Sequence, residues 1–179
     1  MYSTHYVCFK CGTKYEKDVL YECKKCHYSL DIVYDYAKIK KEFDERYFFQ
    51  TPVKHLKYYA FYPIKDPKKI VSMQEGGTPL LQSKQEKNFF FKLEGCNPTG
   101  VFKDRGSSIE ITKALEFGAK KVVCASTGNM GASISAYARR AGIQAEIFVP
   151  KFAEKVKLKQ MKFYGAEIKV INGTYTKVL

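Results

Sequence analysis

Four of the six cysteines form two Cys-x-x-Cys pairs near the start of the chain, Cys8/Cys11 and Cys23/Cys26. Two such pairs can place four thiolates in a tetrahedron around one Zn²⁺ ion, each pair gripping the metal through a tight turn. The alternative, two unrelated pairs of free thiols, would leave four reactive groups in a segment with few other core residues. The spacing therefore predicts a structural zinc site with these four ligands, and no histidine is given a role.

A turn-rich stretch at 97–106, Asn-Pro-Thr-Gly-Val-Phe-Lys-Asp-Arg-Gly, leads from a predicted strand into a predicted helix. Lys103 lies in the first turn of that helix, where the positive end of the helix dipole and the neighbouring Arg105 both favour the neutral amine. A neutral amine can attack an aldehyde and form a Schiff base. The stretch indicates a nucleophilic Lys103, and the alternative is an ordinary solvated lysine.

A second loop, at 125–133, reads Ala-Ser-Thr-Gly-Asn-Met-Gly-Ala-Ser and also lies between a strand and a helix. Backbone N–H groups at the helix start, with the hydroxyls of Ser126 and Thr127, could hold a carboxylate or a phosphate. A tight connection without a ligand is the alternative. Because ligands of parallel sheets bind beyond the C-terminal ends of the strands, we expect both loops to face one cleft.

The elements that position these loops follow from the pattern after residue 89. Short apolar runs alternate with longer amphipathic ones in the order βαβαβαβ, which predicts a parallel α/β sheet covered by helices on both faces. Gly118, Gly142 and Gly165 are the predicted helix stops. The predicted strands are 89–93, 121–125, 145–149 and 167–171, and the predicted helices are 102–117, 131–140 and 153–164.

Three zones divide the sequence. Residues 1–36 contain short strands and turns around the cysteines and are predicted to form a zinc ribbon. Residues 37–77 are aromatic, basic and irregular, and are interpreted as a connecting segment. Residues 78–179 carry the βα pattern, and 172–175 reads as a loop into another helix that the last four residues are too short to form. We expect an incomplete sheet whose C-terminal portion is missing, either in nature or because the sequence is partial.

Composition and charge argue against several classes of protein. With 179 residues and 45% hydrophobic content, the chain can bury a core and does not resemble a disordered segment. The net charge of +13 suits nucleic acid or a phosphorylated small molecule, but the basic residues are spread over the whole length, which favours a solvated surface. No apolar run is long enough for a membrane span, and the polar start is unlike a signal peptide. We expect a cytoplasmic protein.

Four segments, 75–80, 97–106, 126–129 and 164–166, together resemble the fold-type II pyridoxal-phosphate enzymes, whose fold is like that of the tryptophan synthase β subunit. The likeness is greatest to the threonine synthase family. The cysteine ribbon running into 31–35 also looks like the N-terminal module of many members. The resemblance therefore covers nearly the whole chain.

The resemblance implies roles for particular residues. Lys103 would hold pyridoxal phosphate covalently and, once released, would transfer protons. Phe102 would pack near the pyridine ring, and Asn129 would hydrogen-bond the cofactor's 3′ oxygen. The substrate carboxylate would be bound by the residues of the second loop, namely Ser126, Thr127, Gly128 and Asn129. The family's reaction converts O-phosphohomoserine and water into threonine and phosphate.

Two residues depart from the family pattern. Val101 stands where serine is usual, and Met130 stands where a polar residue is common. Because of these two residues, a related enzyme of the cysteate synthase, threonine dehydratase or cysteine synthase type stays an alternative. The glycine-rich loop for the cofactor phosphate and the partner of the pyridine nitrogen lie further along the family's chain and are absent from this sequence. We therefore expect this chain alone to bind the cofactor poorly, and to work as a homodimer or with a complementary C-terminal half.

Two further alternatives stay open. A zinc ribbon on a basic chain is also typical of nucleic-acid-binding proteins, although the spread of the charge argues against that partner. A truncated relative that keeps only a folding or subunit-contact role would have the same sequence features.

Overall fold

The computed structural model describes residues 2–16 and 19–172 of the chain. The chain divides into two units, of which the first comprises Met1–Pro52 and Leu56–Lys68 and the second Val53–His55 and Lys69–Leu179. No helix in the described part of the chain is long and apolar enough to cross a bilayer. The predicted loop at 172–175 lies, after its first residue, outside the described residues, and the three-zone division of the sequence stays a prediction.

The first unit contains a three-stranded antiparallel sheet in the order β2-β1-β3. Its strands are β1 (Ser3–Cys8), β2 (Lys14–Tyr15) and β3 (Leu30–Tyr34). Both cysteine pairs lie in turns closed by backbone hydrogen bonds, from Cys8 N to Thr13 O (2.9 Å) and from Cys23 N to Tyr28 O (2.9 Å). The predicted short strands and turns around the cysteines are therefore confirmed.

Two short helices follow, α1 (Tyr36–Glu42) and α2 (Glu45–Gln50), so the prediction that this stretch is irregular was wrong. Each helix begins at an aspartate whose carboxylate accepts a backbone N–H: Asp35 from Lys38 (2.9 Å) and Asp44 from Tyr47 (3.0 Å). Such N-caps stabilise a helix by about 1 kcal/mol. Ile39, Phe43 and Ala60 are buried among tyrosine rings, which supplies the packing that local propensity does not. The described residues also contain short 3₁₀ turns at His55–Phe61, which is interrupted at Tyr58, and at Pro67–Lys69 and Glu94–Cys96.

The second unit begins with an antiparallel hairpin of β4 (Leu80–Gln82) and β5 (Phe90–Lys92). The prediction that the run at 89–93 opens the parallel sheet is therefore wrong. Only a short connection separates the two strands, and it is closed locally by a hydrogen bond from Ser83 N to Phe89 O (2.8 Å). All residues of both strands are exposed, as expected of a small surface hairpin.

The parallel sheet consists of β6 (Lys121–Ala125), β7 (Gln144–Pro150) and β8 (Glu167–Ile171) in that order. Its helices are α3 (Asp104–Glu116), α4 (Asn129–Ala141) and α5 (Lys155–Phe163). These bounds agree with the predicted ones to within two residues. The three glycines predicted as helix stops all have positive φ, which confirms that prediction.

The two faces of the parallel sheet differ. On one face Ile147 and Val149 are buried against Tyr137 and Met161, with α4 packed on β6 and β7 between α3 and α5. On the other face Val123 is 60% exposed and charged side chains pair, Lys121 with Glu146 and Lys169 with Glu167. The sequence predicted helices on both faces. Within the described residues the face carrying Val123 is open to solvent, and its alternating charges suit that exposure.

Candidate active site and metal centre

The four cysteines of the two pairs meet in the first unit. Their Sγ atoms all lie within 4.8 Å of one another, with 3.5 Å between Cys8 and Cys26 and 3.7 Å between Cys11 and Cys23. A tetrahedral Zn²⁺ with Zn–S bonds of about 2.3 Å requires sulfur–sulfur distances of about 3.8 Å. The two shorter distances are close to this value, and the four thiols lie near enough to one another to suit a metal ion.

Tyr15 contacts the cysteine cluster, and His27 follows Cys26 in the sequence. Tyr15 Oη lies 3.1 Å from Cys23 Sγ, and this hydrogen bond lowers the pKa of the Cys23 thiol. Such an effect favours the thiolate that binds a metal. The ring of His27 pairs with Glu22 at 2.6 Å and is exposed. The environment of His27 is therefore consistent with giving it no ligand role.

Lys103 immediately precedes α3, as the N-cap residue, rather than lying within its first turn. Its Nζ lies 4.6 Å from the centre of the Phe102 ring, and Phe102 itself is 56% exposed. The sequence interpretation also gave Arg105 an electrostatic effect on Lys103. In the structure Arg105 donates to both oxygens of Glu94, at 2.9 and 2.8 Å, so that the carboxylate offsets its charge.

Glu94 is the centre of a polar cluster that joins two of the family-like segments. It also accepts hydrogen bonds from Thr78 Oγ1 (2.7 Å) and Asn97 Nδ2 (2.9 Å). The hydrogen bonds from Arg105, foremost, then those from Thr78 and Asn97, lower the pKa of Glu94 to about 2 against the opposing effect of burial. Gly76 N donates to Asn97 Oδ1 at 3.0 Å. The segment at 75–80 is thereby tied to the loop that carries Lys103.

Asp104 is the centre of a second hydrogen-bonded cluster, which the sequence did not predict. It is fully buried and accepts hydrogen bonds from Thr99 N (2.7 Å), Thr99 Oγ1 (2.5 Å) and Ser133 Oγ (2.6 Å). The carboxylate thus fixes the loop before Lys103 to helix α4. An aspartate next to the lysine was visible in the sequence, but its partner Ser133 lies 29 residues further on, and no local pattern marked that pairing.

The second loop is built around Ser126, which is buried. Its Oγ accepts hydrogen bonds from Gly128 N (3.1 Å) and Gly131 N (2.9 Å). Thr127 and Asn129, on either side of Gly128, are exposed. Ser126 therefore holds the loop in shape, while its neighbours face outward.

Thr127, Gly128 and Asn129 line a cleft of about 380 Å³ at the C-terminal end of β6. The rest of the lining follows the C-terminal end of β7 and comprises Phe152, Ala153, Glu154 and Lys157. A cleft at this end of the strands agrees with the expected location of ligands in parallel sheets.

Helix α5 connects the two loops. Gln160 Nε2 donates to Thr99 O at 3.2 Å, and the side chain of Lys157 lies beside Gly128, where an added Cβ would be 3.4 Å from Lys157 Cγ. The structure therefore brings both loops to the same helix. Lys103 and Phe102 are not among the residues that line the cleft. That both loops face one cleft therefore stays a prediction.

The two departures from the family pattern both point inward. Val101 is 8% exposed. Met130 packs against the core and lines a separate cavity of about 310 Å³ with Ile111, Val122 and Ile134. Met130 is not among the residues that line the cleft beside Thr127.

Comparison with known proteins agrees with this geometry. Residues 71–179 match the family model described as pyridoxal-phosphate dependent enzyme. A pyridoxal 5'-phosphate-dependent aspartate racemase aligns with a TM-score of 0.50 and 35% identity, over 53% of this chain and 33% of that one. Maize serine racemase aligns with a TM-score of 0.50 and 31% identity, over 56% and 35%. The chain belongs to the family of pyridoxal-phosphate dependent enzymes.

Within that family the chain is similar to threonine synthases, which confirms the resemblance seen in the sequence. It is 39% identical to the threonine synthase of Methanocaldococcus jannaschii over 180 residues, 96% of this chain and 44% of that protein. It is 39% identical to the threonine synthase of Methanosarcina acetivorans over an alignment of 186 positions, which covers 98% of this chain and 44% of that protein. The chain thus spans less than half the length of these curated relatives.

Proposed function

We propose that this chain is the N-terminal part of a pyridoxal-phosphate-dependent lyase of the threonine synthase type, which converts O-phosphohomoserine and water into threonine and phosphate. The observation that carries the proposal is that helix α5 lies against both loops, with Gln160 bonded to Thr99 O and the side chain of Lys157 beside Gly128, within a chain 39% identical to two threonine synthases. A cytoplasmic location stays a prediction. Assembly as a homodimer or with a complementary C-terminal half also remains predicted.

Some of the residues that would hold pyridoxal phosphate are present in this chain. When bound, pyridoxal phosphate supplies an electron sink for carbanions. Lys103 would hold it covalently through Nζ and, when released, would move protons at the substrate's α and β carbons. Phe102 would cover the pyridine ring, as its exposure allows. Asp104 would keep Lys103 in place through Thr99 and Ser133.

The loop at 126–129 would hold the anionic end of the substrate. Thr127, Gly128 and Asn129 line the cleft, and Asn129 would also hydrogen-bond the cofactor's 3′ oxygen. Ser126 accepts two backbone N–H groups and so would hold the loop in the shape that presents its three neighbours to the ligand. A direct hydrogen bond from Ser126 to the substrate carboxylate stays a prediction.

We also propose that the first unit is a zinc ribbon in which Cys8, Cys11, Cys23 and Cys26 hold one structural Zn²⁺. Support comes from the sulfur spacing. Four protein ligands would close the coordination sphere and leave no position for substrate, as in structural zinc sites. The domain division that accompanies this proposal is 1–36 for the ribbon, 37–77 for the connecting segment and 78–179 for the front of the catalytic domain.

The enzymatic proposal is tested by locating the lysine that binds the cofactor. The chain, mixed with a C-terminal half taken from a relative, is incubated with pyridoxal phosphate and reduced with borohydride, and the modified residue is identified by peptide mass spectrometry. We expect label on Lys103, its loss in Lys103→Ala, and its retention in the matched control Lys120→Ala, an exposed lysine just before β6.

Activity is then measured as phosphate release from O-phosphohomoserine by the chain together with a C-terminal half taken from a relative. We expect release to require both polypeptides and Lys103. Label distributed over many lysines, with no preference for Lys103, would contradict the proposal.

A further inference from the structure

Two hydroxyl groups lie against the cysteine cluster of the first unit. Thr13 Oγ1 is 3.1 Å from Cys11 Sγ, and Tyr15 Oη is 3.1 Å from Cys23 Sγ. Cys11 belongs to the first Cys-x-x-Cys pair and Cys23 to the second, so each pair has a sulfur in contact with a hydroxyl. Both hydroxyls come from the segment that joins the two pairs.

The backbone of this segment explains why both hydroxyls reach the cluster. Tyr15 is the last residue of β2, and Thr13 directly precedes that strand. Side chains two positions apart along a strand point to the same side. Thr13 O also accepts a hydrogen bond from Cys8 N at 2.9 Å, which ties the start of β2 to the first cysteine pair.

A bound zinc ion would fix the direction of these hydrogen bonds. A cysteine binds Zn²⁺ as a thiolate, which has no hydrogen to donate. The hydroxyls of Thr13 and Tyr15 would then be the donors, since each carries one O–H. Cys11 N is a further donor, to Cys8 Sγ at 3.4 Å. The cluster is thus surrounded by groups that favour thiolates.

These donors matter because of the charge of the proposed site. One Zn²⁺ ion balances only half of the charge of four thiolates, and Cys8 and Cys23 are 2% and 0% exposed. Negative charge that is removed from water is costly unless hydrogen-bond donors face it. At other metal sites, groups that hydrogen-bond to the metal ligands contribute about 10–100-fold to metal affinity.

Resting on the proposed zinc site, we propose that Thr13 and Tyr15 are positioning residues of that site and set how tightly the ion is retained. Each donates its hydroxyl hydrogen to the neighbouring thiolate, orients that sulfur towards the ion and disperses part of its charge. A role in packing alone would depend on the ring of Tyr15 and the methyl group of Thr13 rather than on their oxygen atoms.

Competition with a chromophoric zinc chelator measures the affinity of the full chain for the ion. Tyr15→Phe and Thr13→Val each remove one hydroxyl and nearly keep the shape of the side chain. We expect each substitution to lower zinc affinity about tenfold, whereas Thr13→Ser, which keeps the hydroxyl, should bind nearly as the parent chain does. Tyr21→Phe is the matched control, because Tyr21 is 92% exposed, and should leave the affinity unchanged.

Cobalt(II) in place of zinc reports on the sulfurs directly, through the absorption band in which an electron moves from thiolate to metal. A hydrogen bond stabilises the electrons on sulfur, so its loss should move this band to longer wavelength. We expect the shift in Tyr15→Phe and Thr13→Val, and none in Thr13→Ser or Tyr21→Phe.

An unmoved band in Tyr15→Phe and Thr13→Val overturns the inference even if zinc affinity falls, because the loss would then come from packing. Parental zinc affinity in both variants overturns it as well. A parent chain that binds neither zinc nor cobalt refutes the proposed zinc site together with the inference. Metal binding that is indifferent to both hydroxyls refutes the inference alone and leaves the proposed zinc site standing.

Discussion

Glu94 orders the segment before Lys103, because it accepts hydrogen bonds from three side chains at once. Arg105 has the largest effect in lowering its pKa to about 2. A glutamate in an unfolded chain has a pKa of about 4.3. The folded chain therefore keeps this carboxylate ionised at acidities where the unfolded chain protonates it, and that difference stabilises the folded state.

The substitution Glu94→Gln tests this linkage. A lowered pKa gives stability that is present above about pH 4.3 and is lost as the pH falls towards about 2. We expect the variant to lose about 2 kcal/mol of unfolding free energy at neutral pH, since charge-assisted hydrogen bonds are replaced by neutral ones. Urea denaturation at a series of pH values measures it.

The difference between the two proteins should shrink as the pH is lowered through that window. Glu86→Gln, in the exposed turn of the hairpin, is the control and should match the parent chain throughout. A stability gap for Glu94→Gln that stays constant down to about pH 2 would show that the charge of Glu94 is not the cause.

At the scale of elements, the close packing of α4 depends on Gly131. A Cβ built there would lie 2.7 Å from Met161 Cε, 3.0 Å from Ile147 Cγ2 and 3.1 Å from Ser126 Cβ. The end of a methionine side chain can move, but Ile147 is fixed by its branched Cβ in the centre of the sheet. The helix approaches β7, α5 and the second loop closely because this position has no side chain.

We expect Gly131→Ala to lower the unfolding free energy by about 1–2 kcal/mol through overpacking, although alanine is the better helix former. Gly106→Ala is the matched comparison in α3, where the nearest atom is 3.6 Å from the added Cβ. That variant should be neutral or gain up to about 1 kcal/mol. Chemical denaturation of both variants measures the contrast, and equal effects of the two substitutions would rule out close packing as the explanation.

The sequence predicted α3 to α5 and the three parallel strands because their periodicity and glycine stops are local signals. It misplaced the run at 89–93, since a five-residue run that is mostly apolar does not reveal which strand it will pair with. Asp104 and Lys157 were missed for a related reason: their partners or surroundings are assembled only when α3, α4 and α5 pack together. The helices α1 and α2 depended on caps at Asp35 and Asp44 that the aromatic composition obscured.

At the scale of the whole molecule, the two units differ in what stabilises them. Among the described residues, the buried apolar cluster of the first unit contains Ile39, Phe43 and Ala60, whereas a larger cluster lies between the helices and the parallel sheet of the second. Small units with few core residues are commonly stabilised by a metal. The proposed zinc ion should therefore matter to the first unit and not to the second.

Metal analysis and hydrogen exchange test this difference. We expect one zinc per chain, its loss in Cys11→Ser, and its retention in Cys96→Ser, an exposed cysteine outside the cluster. A chelator should accelerate amide exchange in β1 and β3 while β7 exchanges as before. Unchanged exchange in β1 after complete metal removal would contradict a structural role for the ion.

The two hydrogen bonds accepted by Ser126 bear on the proposed binding of an anion by the second loop. They hold the backbone next to Thr127 in one conformation, so the conformational entropy of ordering that loop is lost on folding and not on binding. The proposed binding would then need only the rearrangement of side chains, which favours affinity. In this proposal the second loop is a preorganised receptor.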